Sequence, residues 1–294
     1  MNVPPADHSG DPANLESLIA PLRKEPGRAA ILTDIDGTIA PIVLDPCKAA
    51  VPKRTRELLR ELARRYALVG CLSGRRAADA RRVVGLDELA YSGNHGFELL
   101  LPGESQVRPD PSLDGHEGDA PRFVESLDQS ALERASIRTE DKGAIVALHW
   151  RGAPDEAAAE SLAHEIASEA EGKGLLPHPG RKVLEIRPDV AIDKGIAVAA
   201  LILTYSAATN TATGSTAADT AAGPIDAALY GGDDRTDVDA FAALRALEQH
   251  GQLRAAACIA AASDESPPEV SREANLTVAG PEGFVRVLEA LAAP

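Results

Sequence analysis

Three short apolar runs constrain this 294-residue chain more than any other feature: AILT (30–33), ALVGCL (67–72) and AALY (227–230) each stop abruptly at a polar loop. Runs of that length without polar alternation suit strands buried on both faces. Helical periods at 53–66, 75–84 and 237–249, with further strand candidates at 90–92 and 256–260, complete an alternation of strand and helix. That alternation predicts an α/β fold built on a parallel sheet with helices on both faces. In open sheets of this kind the loops after the strands gather along one edge, where ligands bind.

The loop after the first run opens with Asp34 and Asp36, one residue apart. Like charges that close raise each other's pKa, so they call for a cation or a chemical task. Ser73, Gly74 and Arg75 follow the second run, and GGDDRTD (231–237) follows the third. Convergence of these loops brings five carboxylates together, those of Asp34, Asp36, Asp233, Asp234 and Asp237. A hard cation with oxygen ligands compensates such a cluster, and magnesium is expected. A calcium loop of EF-hand type is excluded, because Leu32 stands where another ligand is needed and no helix precedes it. No G-x-x-x-x-G-K-[ST] nucleotide loop occurs.

DKG (193–195) starts a helix that reads to residue 204. A lysine in a first helical turn is opposed by the helix dipole, so Lys194 is expected to face an anion, and phosphate suits it. With the Ser73 hydroxyl and backbone amides after Asp34, it would clamp a phosphoryl group. Asp34 then serves as carboxylate nucleophile, and Asp36 as acid on the leaving oxygen and base on water. Taken singly, each motif has a plainer reading: a turn, a helix start, an N-cap, a solvated acidic loop. Their order, each at a strand or helix end, is what points to phosphoryl chemistry.

The formal charge of −15 and 3% aromatic content exclude an ordinary nucleic-acid binder, which needs clustered cations and stacking platforms. The one basic stretch, 53–82, is interleaved with Leu58, Leu59 and Leu62 and reads as a solvated helix face. Cys47, Cys71 and Cys258 are few and odd in number, so reduced thiols are expected. No secretory leader is visible, and the longest apolar stretch, 195–205, is too short to span a bilayer, so a cytoplasmic protein without membrane contact is expected.

Residues 1–13 read as a disordered tail. Beyond residue 101 the pattern changes to a turn-rich connection, a helix at 121–134, a hairpin pairing 136–139 with 144–150 around Gly143, a helix at 154–171, and strands near 175 and at 183–187. This α-β-β-α-β-β unit reads as a second domain, 102–186, inserted into a core formed by 14–101 and 187–294. Alternation puts His149 and Arg151 on one strand face, and sets Glu185 opposite Leu184 and Ile186. The Thr/Ala/Gly tract at 206–224 has no apolar period and reads as a flexible loop.

With these motifs in hand, the chain resembles the haloacid dehalogenase superfamily, and within it the trehalose-6-phosphate phosphatases, from about residue 29 onward. DIDGTIAPI, SGR, DKG and GGDDRTDVDAF resemble the four superfamily motifs, while SGNHGFEL (92–99), EDKGAIVALHWR (140–151) and GRKVLEIRP (180–188) resemble sugar-phosphatase segments. The resemblance implies a Rossmann-like parallel-sheet core with an inserted, smaller α+β cap that reads the substrate. It implies Asp34 as nucleophile, Asp36 as general acid/base, and Ser73 and Lys194 as phosphate holders, with Gly74 and Arg75 beside the substrate. It also implies magnesium on Asp34, the Asp36 carbonyl and Asp233, with Asp234 or Asp237 in support. Residues matching Glu140, Lys142, Arg151 and Glu185 contact the disaccharide in the family, with Lys182 and His149 as weaker candidates. His95 either lines the site or satisfies a turn. Ile35 stands where the family often has Tyr, and the 206–224 tract is longer than expected.

The activity expected from the resemblance is hydrolysis of trehalose 6-phosphate through an aspartyl-phosphate, with a functional link to a trehalose-phosphate synthase. The alternatives are a phosphatase for another sugar phosphate, such as sucrose phosphate or a glycosyl-phosphoglycerate, and a silent sugar-phosphate-binding regulatory domain.

Overall fold

The computed structural model describes residues 12–43, 48–180, 182–212, 223–264 and 266–294. The tail expected at 1–13 therefore lies outside them except for its last two residues, as do Cys47, Arg181 and residues 213–222 of the Thr/Ala/Gly tract. The described chain divides into two compact units, one running to Arg108 and resuming at Asp193, the other spanning Pro109–Ile192. Both junctions fall a little later than the 102–186 insertion read from sequence.

The first unit is built on β1 (Ala29–Thr33), β2 (Leu68–Leu72), β3 (Ala90–Gly93), β4 (Glu98–Leu100), β10 (Ala227–Gly232), β11 (Ala255–Ala262) and β12 (Leu276–Ala279). Their order is β12-β11-β10-β1-β2-β3-β4, with the two-residue β5 (Arg108–Pro109) at the edge. All pairs from β12 to β3 are parallel, and β4 is antiparallel to β3. The sequence reading omitted β4, β12 and the six-residue α9 (Pro268–Glu273), which are too short to carry a period.

Every residue of β1 is buried, as a strand covered on both faces requires. Ala29 and Ile31 join one apolar cluster, together with Leu58 and Leu62 of α2 (Lys53–Arg65), Val83 of α3 (Ala77–Val84) and Leu288 of α10 (Gly280–Ala292). Ala30 and Leu32 join the other, with Val198 and Leu201 of α7 (Lys194–Ala212) and Phe241 and Leu244 of α8 (Arg235–Gln249). Ile19 and Leu22 of α1 (Pro12–Lys24) extend the first cluster.

Helix α7 continues well past residue 204, so the first part of the tract read as loop is helical. Ala is the best helix former, and the Ser206 hydroxyl bonds back to the Ile202 carbonyl at 2.7 Å. Ser206 Oγ also accepts from the Ile225 amide at 3.1 Å, tying the far end of the tract to the helix.

The second unit is a four-stranded antiparallel sheet, β6 (Arg138–Asp141), β7 (Val146–His149), β9 (Val183–Pro188) and β8 (Leu175–Gly180) in that order. The helix expected at 121–134 is two helices, α4 (Asp119–Ser126) and α5 (Gln129–Arg134), because Asp128 caps the second by accepting from the Ala131 amide. Val146, Leu148, Leu184 and Ile186 form one core with Phe123 of α4 and with Ala163 and Ile166 of α6 (Glu156–Gly172). Strand alternation leaves Glu140, His149, Glu185 and Arg187 on the opposite face of the sheet.

Candidate active site

Strand β1 lies between β10 and β2, so the three polar loops inferred from sequence are neighbours. The Asp34 amide donates to the Gly231 carbonyl at 2.8 Å, carrying the β1–β10 pairing into the loop. The Ile39 and Ala40 amides then fold back onto the Ile35 carbonyl, while Gly37 donates to the Ala40 carbonyl. Ile35 itself is fully buried in the apolar cluster, away from the carboxylates on either side of it. Gly37 has φ +90°, and a Cβ there would lie 2.1 Å from an Asp233 carboxylate oxygen. Only glycine lets this turn approach the acidic loop so closely. Thr38 Oγ1 donates to Asp233 Oδ1 at 3.0 Å and fixes that carboxylate.

Lys194, the first residue of α7, answers the conflict with the helix dipole. Its Nζ donates to Asp34 Oδ1 at 2.7 Å and to Asp237 Oδ1 at 2.6 Å, with all three side chains buried. Asp193 caps the helix through the Ile196 amide at 2.8 Å. Burial opposes the charge on Lys194, but Asp237 and Asp34 outweigh it and hold the ammonium above its ordinary range. Burial pushes Asp34 well above the usual carboxylate range, with Asp237 and Asp233 adding to the rise and Lys194 opposing it. Burial likewise raises Asp233 to about 7, reinforced by Asp237.

Asp34, Asp233 and Asp237 are close enough for their carboxylates to fall within 4.8 Å of one another. These oxygens, desolvated and mutually repelling, suit a hard divalent cation. Asp237 is nonetheless fully engaged: Oδ1 accepts from Lys194 and from the Tyr230 hydroxyl at 2.7 Å, and Oδ2 accepts from the Asp233 and Asp234 amides at 2.9 and 3.0 Å. Asp34 and Asp233 are therefore the better cation ligands, and Asp237 fits a holding role.

Two expected members of the acidic cluster are turned elsewhere. Asp234 is exposed and caps α8, its Oδ1 accepting from the Arg235 amide at 2.7 Å in a capping box with Asp237. A carboxylate at a helix N-terminus satisfies amides that would otherwise lack partners. The Asp36 carboxylate is gripped by Arg75, through Nε at 2.6 Å and Nη2 at 2.8 Å. Asp36 thus stands in the loop that holds Asp34, while its side chain is paired with the residue assigned to the substrate.

The second loop is held from β3. The Ser73 amide donates to the Ser92 carbonyl, and Ser73 Oγ accepts from the Arg75 amide at 3.2 Å. Asn94 and His95 are both left-handed, with φ 51° and 59°. Their amides donate to the Arg75 and Ser73 carbonyls at 2.7 and 3.0 Å. A Cβ on Gly74 would lie 2.6 Å from His95 Nε2, so His95 packs directly on the Ser73–Gly74–Arg75 turn.

In the second unit the candidate sugar-contacting residues fall into separate polar groups. Glu185 is buried, with Oε1 accepting from Lys142 Nζ at 2.7 Å and Oε2 from Arg187 at 2.5 and 3.1 Å. Glu140 pairs with His149 Nε2 at 2.8 Å, and this bond, with the nearby Lys142, holds the Glu140 carboxyl below its usual range. Lys182 pairs instead with Glu156 of α6. Arg151 does not share a strand face with His149: β7 ends at His149, and Arg151 sits in the following turn, where its charge and that of Lys182 act on Glu156.

Sequence reading did not single out Tyr230, Thr38, Arg187 or Glu156. Thr38 lay inside the quoted DIDGT motif and Arg187 two residues beyond Glu185 on one strand face, so both carried a signal. Tyr230 carried only a hydroxyl at the end of an apolar run.

A sequence model of the trehalose-phosphatase family matches residues 32–275. An uncharacterized glycosyl hydrolase of Mycobacterium tuberculosis is 34% identical over 242 residues, covering 78% of this chain and 17% of the relative. A probable trehalose-phosphate phosphatase 3 of Oryza sativa subsp. japonica is 34% identical over 235 residues, covering 74% of this chain and 60% of the relative. The chain thus spans less than two thirds of the length of either relative. Among solved structures, a C. albicans trehalose-6-phosphate phosphatase C-terminal domain matches with a TM-score of 0.69 at 22% identity, over 95% of this chain and 97% of that one. A haloacid dehalogenase-like hydrolase from Bacteroides thetaiotaomicron has the same overall architecture, with a TM-score of 0.55 at 16% identity over 89% and 98% of the two chains. The haloacid dehalogenase-like architecture, the loops assembled around Asp34 and the match over most of the chain agree: this chain belongs to the trehalose-phosphatase family.

Proposed function

We propose that the chain is a magnesium-dependent phosphatase that converts trehalose 6-phosphate to trehalose and phosphate through an aspartyl-phosphate on Asp34. The observation that carries this reading is the buried contact of Lys194 Nζ with Asp34 Oδ1 at 2.7 Å, beside Asp233. A buried carboxylate at the end of a central strand, with an ammonium on one oxygen, can attack phosphorus through the other.

In the first half-reaction the Asp34 carboxylate forms a bond to phosphorus as the bond to the sugar oxygen breaks. Asp36 gives that oxygen its proton. In the second, Asp36 takes a proton from water, whose oxygen attacks phosphorus and releases Asp34. Asp36 must part from Arg75 to do this, and a phosphate dianion is a stronger partner for a guanidinium than one carboxylate. Arg75 then turns to the substrate, beside Ser73, Gly74 and Lys194. His95 braces that turn. Magnesium, when bound, would neutralise phosphoryl charge, held by the carboxylates of Asp34 and Asp233 and by the Asp36 carbonyl.

The second unit supplies the sugar contacts in this reading. The polar face of its sheet, with Glu140, Lys142, His149 and Glu185, and the flanking Arg151 and Lys182, offers donors and acceptors suited to hydroxyl-rich ligands. The substrate is a small sugar phosphate, and a partnership with a trehalose-phosphate synthase belongs to this proposal. No helix among the described residues is long and apolar enough to cross a membrane. Phosphate release from trehalose 6-phosphate, sucrose 6-phosphate, glucosyl-phosphoglycerate and an aryl phosphate, with magnesium and with EDTA, tests the reading. Preference for trehalose 6-phosphate that disappears in EDTA is expected, and indifference to the sugar would overturn the substrate.

A further inference from the structure

The Tyr230 hydroxyl is buried beneath the site and has no part in the chemistry described so far. It stands on β10, paired in register with Leu32 of β1, two residues before Asp34. Its hydroxyl donates to Asp237 Oδ1 at 2.7 Å, the same oxygen that accepts from Lys194 Nζ at 2.6 Å. The ring is fixed independently, edge-on to Phe241 with centroids 6.0 Å apart and planes at 77°.

We infer that Tyr230 is a positioning residue for phosphoryl transfer: by occupying Asp237 Oδ1 it limits the pull of that oxygen on Lys194 and leaves the ammonium shared with Asp34. Asp237 Oδ2 is held by two backbone amides, so the carboxylate cannot rotate away. Its Oδ1 therefore has a fixed position and two donors. With Tyr230 in place, Lys194 competes with a hydroxyl for that oxygen and turns part of its hydrogen-bonding capacity toward Asp34. Without the hydroxyl, Asp237 Oδ1 becomes the stronger acceptor, and Lys194 is drawn toward it and away from the reacting carboxylate. The effect runs through two charged groups across buried distances below 3 Å, where small displacements matter most.

This inference rests on the proposed phosphatase activity but not on the identity of the sugar, so it is tested with p-nitrophenyl phosphate as well as trehalose 6-phosphate. Tyr230→Phe keeps the ring and removes only the hydroxyl. It is expected to lower kcat about tenfold on both substrates while KM changes less than about twofold. Phe241→Leu, which loosens the ring contact and removes none of the side-chain hydrogen bonds of Asp237 or Lys194, separates packing from positioning. That variant is expected to lower the melting temperature and keep kcat.

A Tyr230→Phe enzyme with unchanged kcat overturns the inference, as does a loss of kcat in Phe241→Leu equal to that in Tyr230→Phe. Wild-type protein that cleaves p-nitrophenyl phosphate but not trehalose 6-phosphate would refute the substrate alone, and the Tyr230 comparison would still decide the inference. Wild-type protein inactive on both would overturn the two together.

Discussion

Lys194 Nζ stands 2.7 Å from Asp34 Oδ1 and 2.6 Å from Asp237 Oδ1, one buried cation serving two buried carboxylates. Three segments far apart in the chain meet at this contact, since Asp34 follows β1, Asp237 lies in α8 and Lys194 opens α7.

Asp34→Asn is expected to reduce turnover by ~10³-fold or more, because an amide oxygen neither attacks phosphorus effectively nor leaves as a carboxylate. The same substitution removes one of three desolvated, mutually repelling carboxylates. The melting temperature measured in EDTA should accordingly be retained or raised. Turnover near the wild-type rate would remove Asp34 from the nucleophile's role.

Lys194→Met is expected to destabilise the fold, by about 3–5 kcal/mol, because it strands two buried carboxylates without a counter-charge. Adding Asp237→Asn should recover part of that loss. Urea unfolding of both variants measures it, and equal stability of single and double variants would deny the coupling.

Asp233 and Asp234 are adjacent in sequence and should behave differently. Asp233→Asn is expected to raise the magnesium concentration needed for half-maximal activity, and to reduce the magnesium-induced rise in melting temperature, by roughly ten- to a hundredfold in apparent affinity. Asp234→Ala should leave the magnesium requirement within about twofold and cost about 1 kcal/mol through its lost helix cap. Titrations of activity and of melting temperature against magnesium read both effects.

Glu185→Gln keeps the shape of the side chain but weakens its bonds to Lys142 and Arg187. A loss of kcat/KM of roughly tenfold or more on trehalose 6-phosphate, with less than about threefold on p-nitrophenyl phosphate, is expected if this face reads the sugar. Equal losses on the two substrates would make the triad a structural feature of the second unit.

Much of the site was legible because its parts break local rules. Asp34 follows a run that suits a buried strand, and Lys194 occupies a helix end that repels cations, so each announced a partner. Asp234 and Asp237 could not be ranked, since both follow the same run and only the folded backbone decides that Asp234 caps α8 while Asp237 is buried against Lys194. Arg151 was misplaced by strand alternation because Gly152, with φ +79°, belongs to a turn that follows the end of the strand. The length of α7 was hidden for the opposite reason: with no charge and no apolar period at 206–212, only the helix propensity of alanine favoured continuation. Tyr230 was silent because strand tyrosines are usually read for their rings.

The left-handed pair at Asn94 and His95 narrows the drift open to this lineage. A valine or isoleucine at either position would resist positive φ and lift the amides from the carbonyls of Ser73 and Arg75. Descendants that lost the imidazole could keep the turn with asparagine, aspartate or glycine. A β-branched replacement would instead oblige them to rebuild the turn between the third and fourth strands together with the Ser73–Arg75 loop bonded to it.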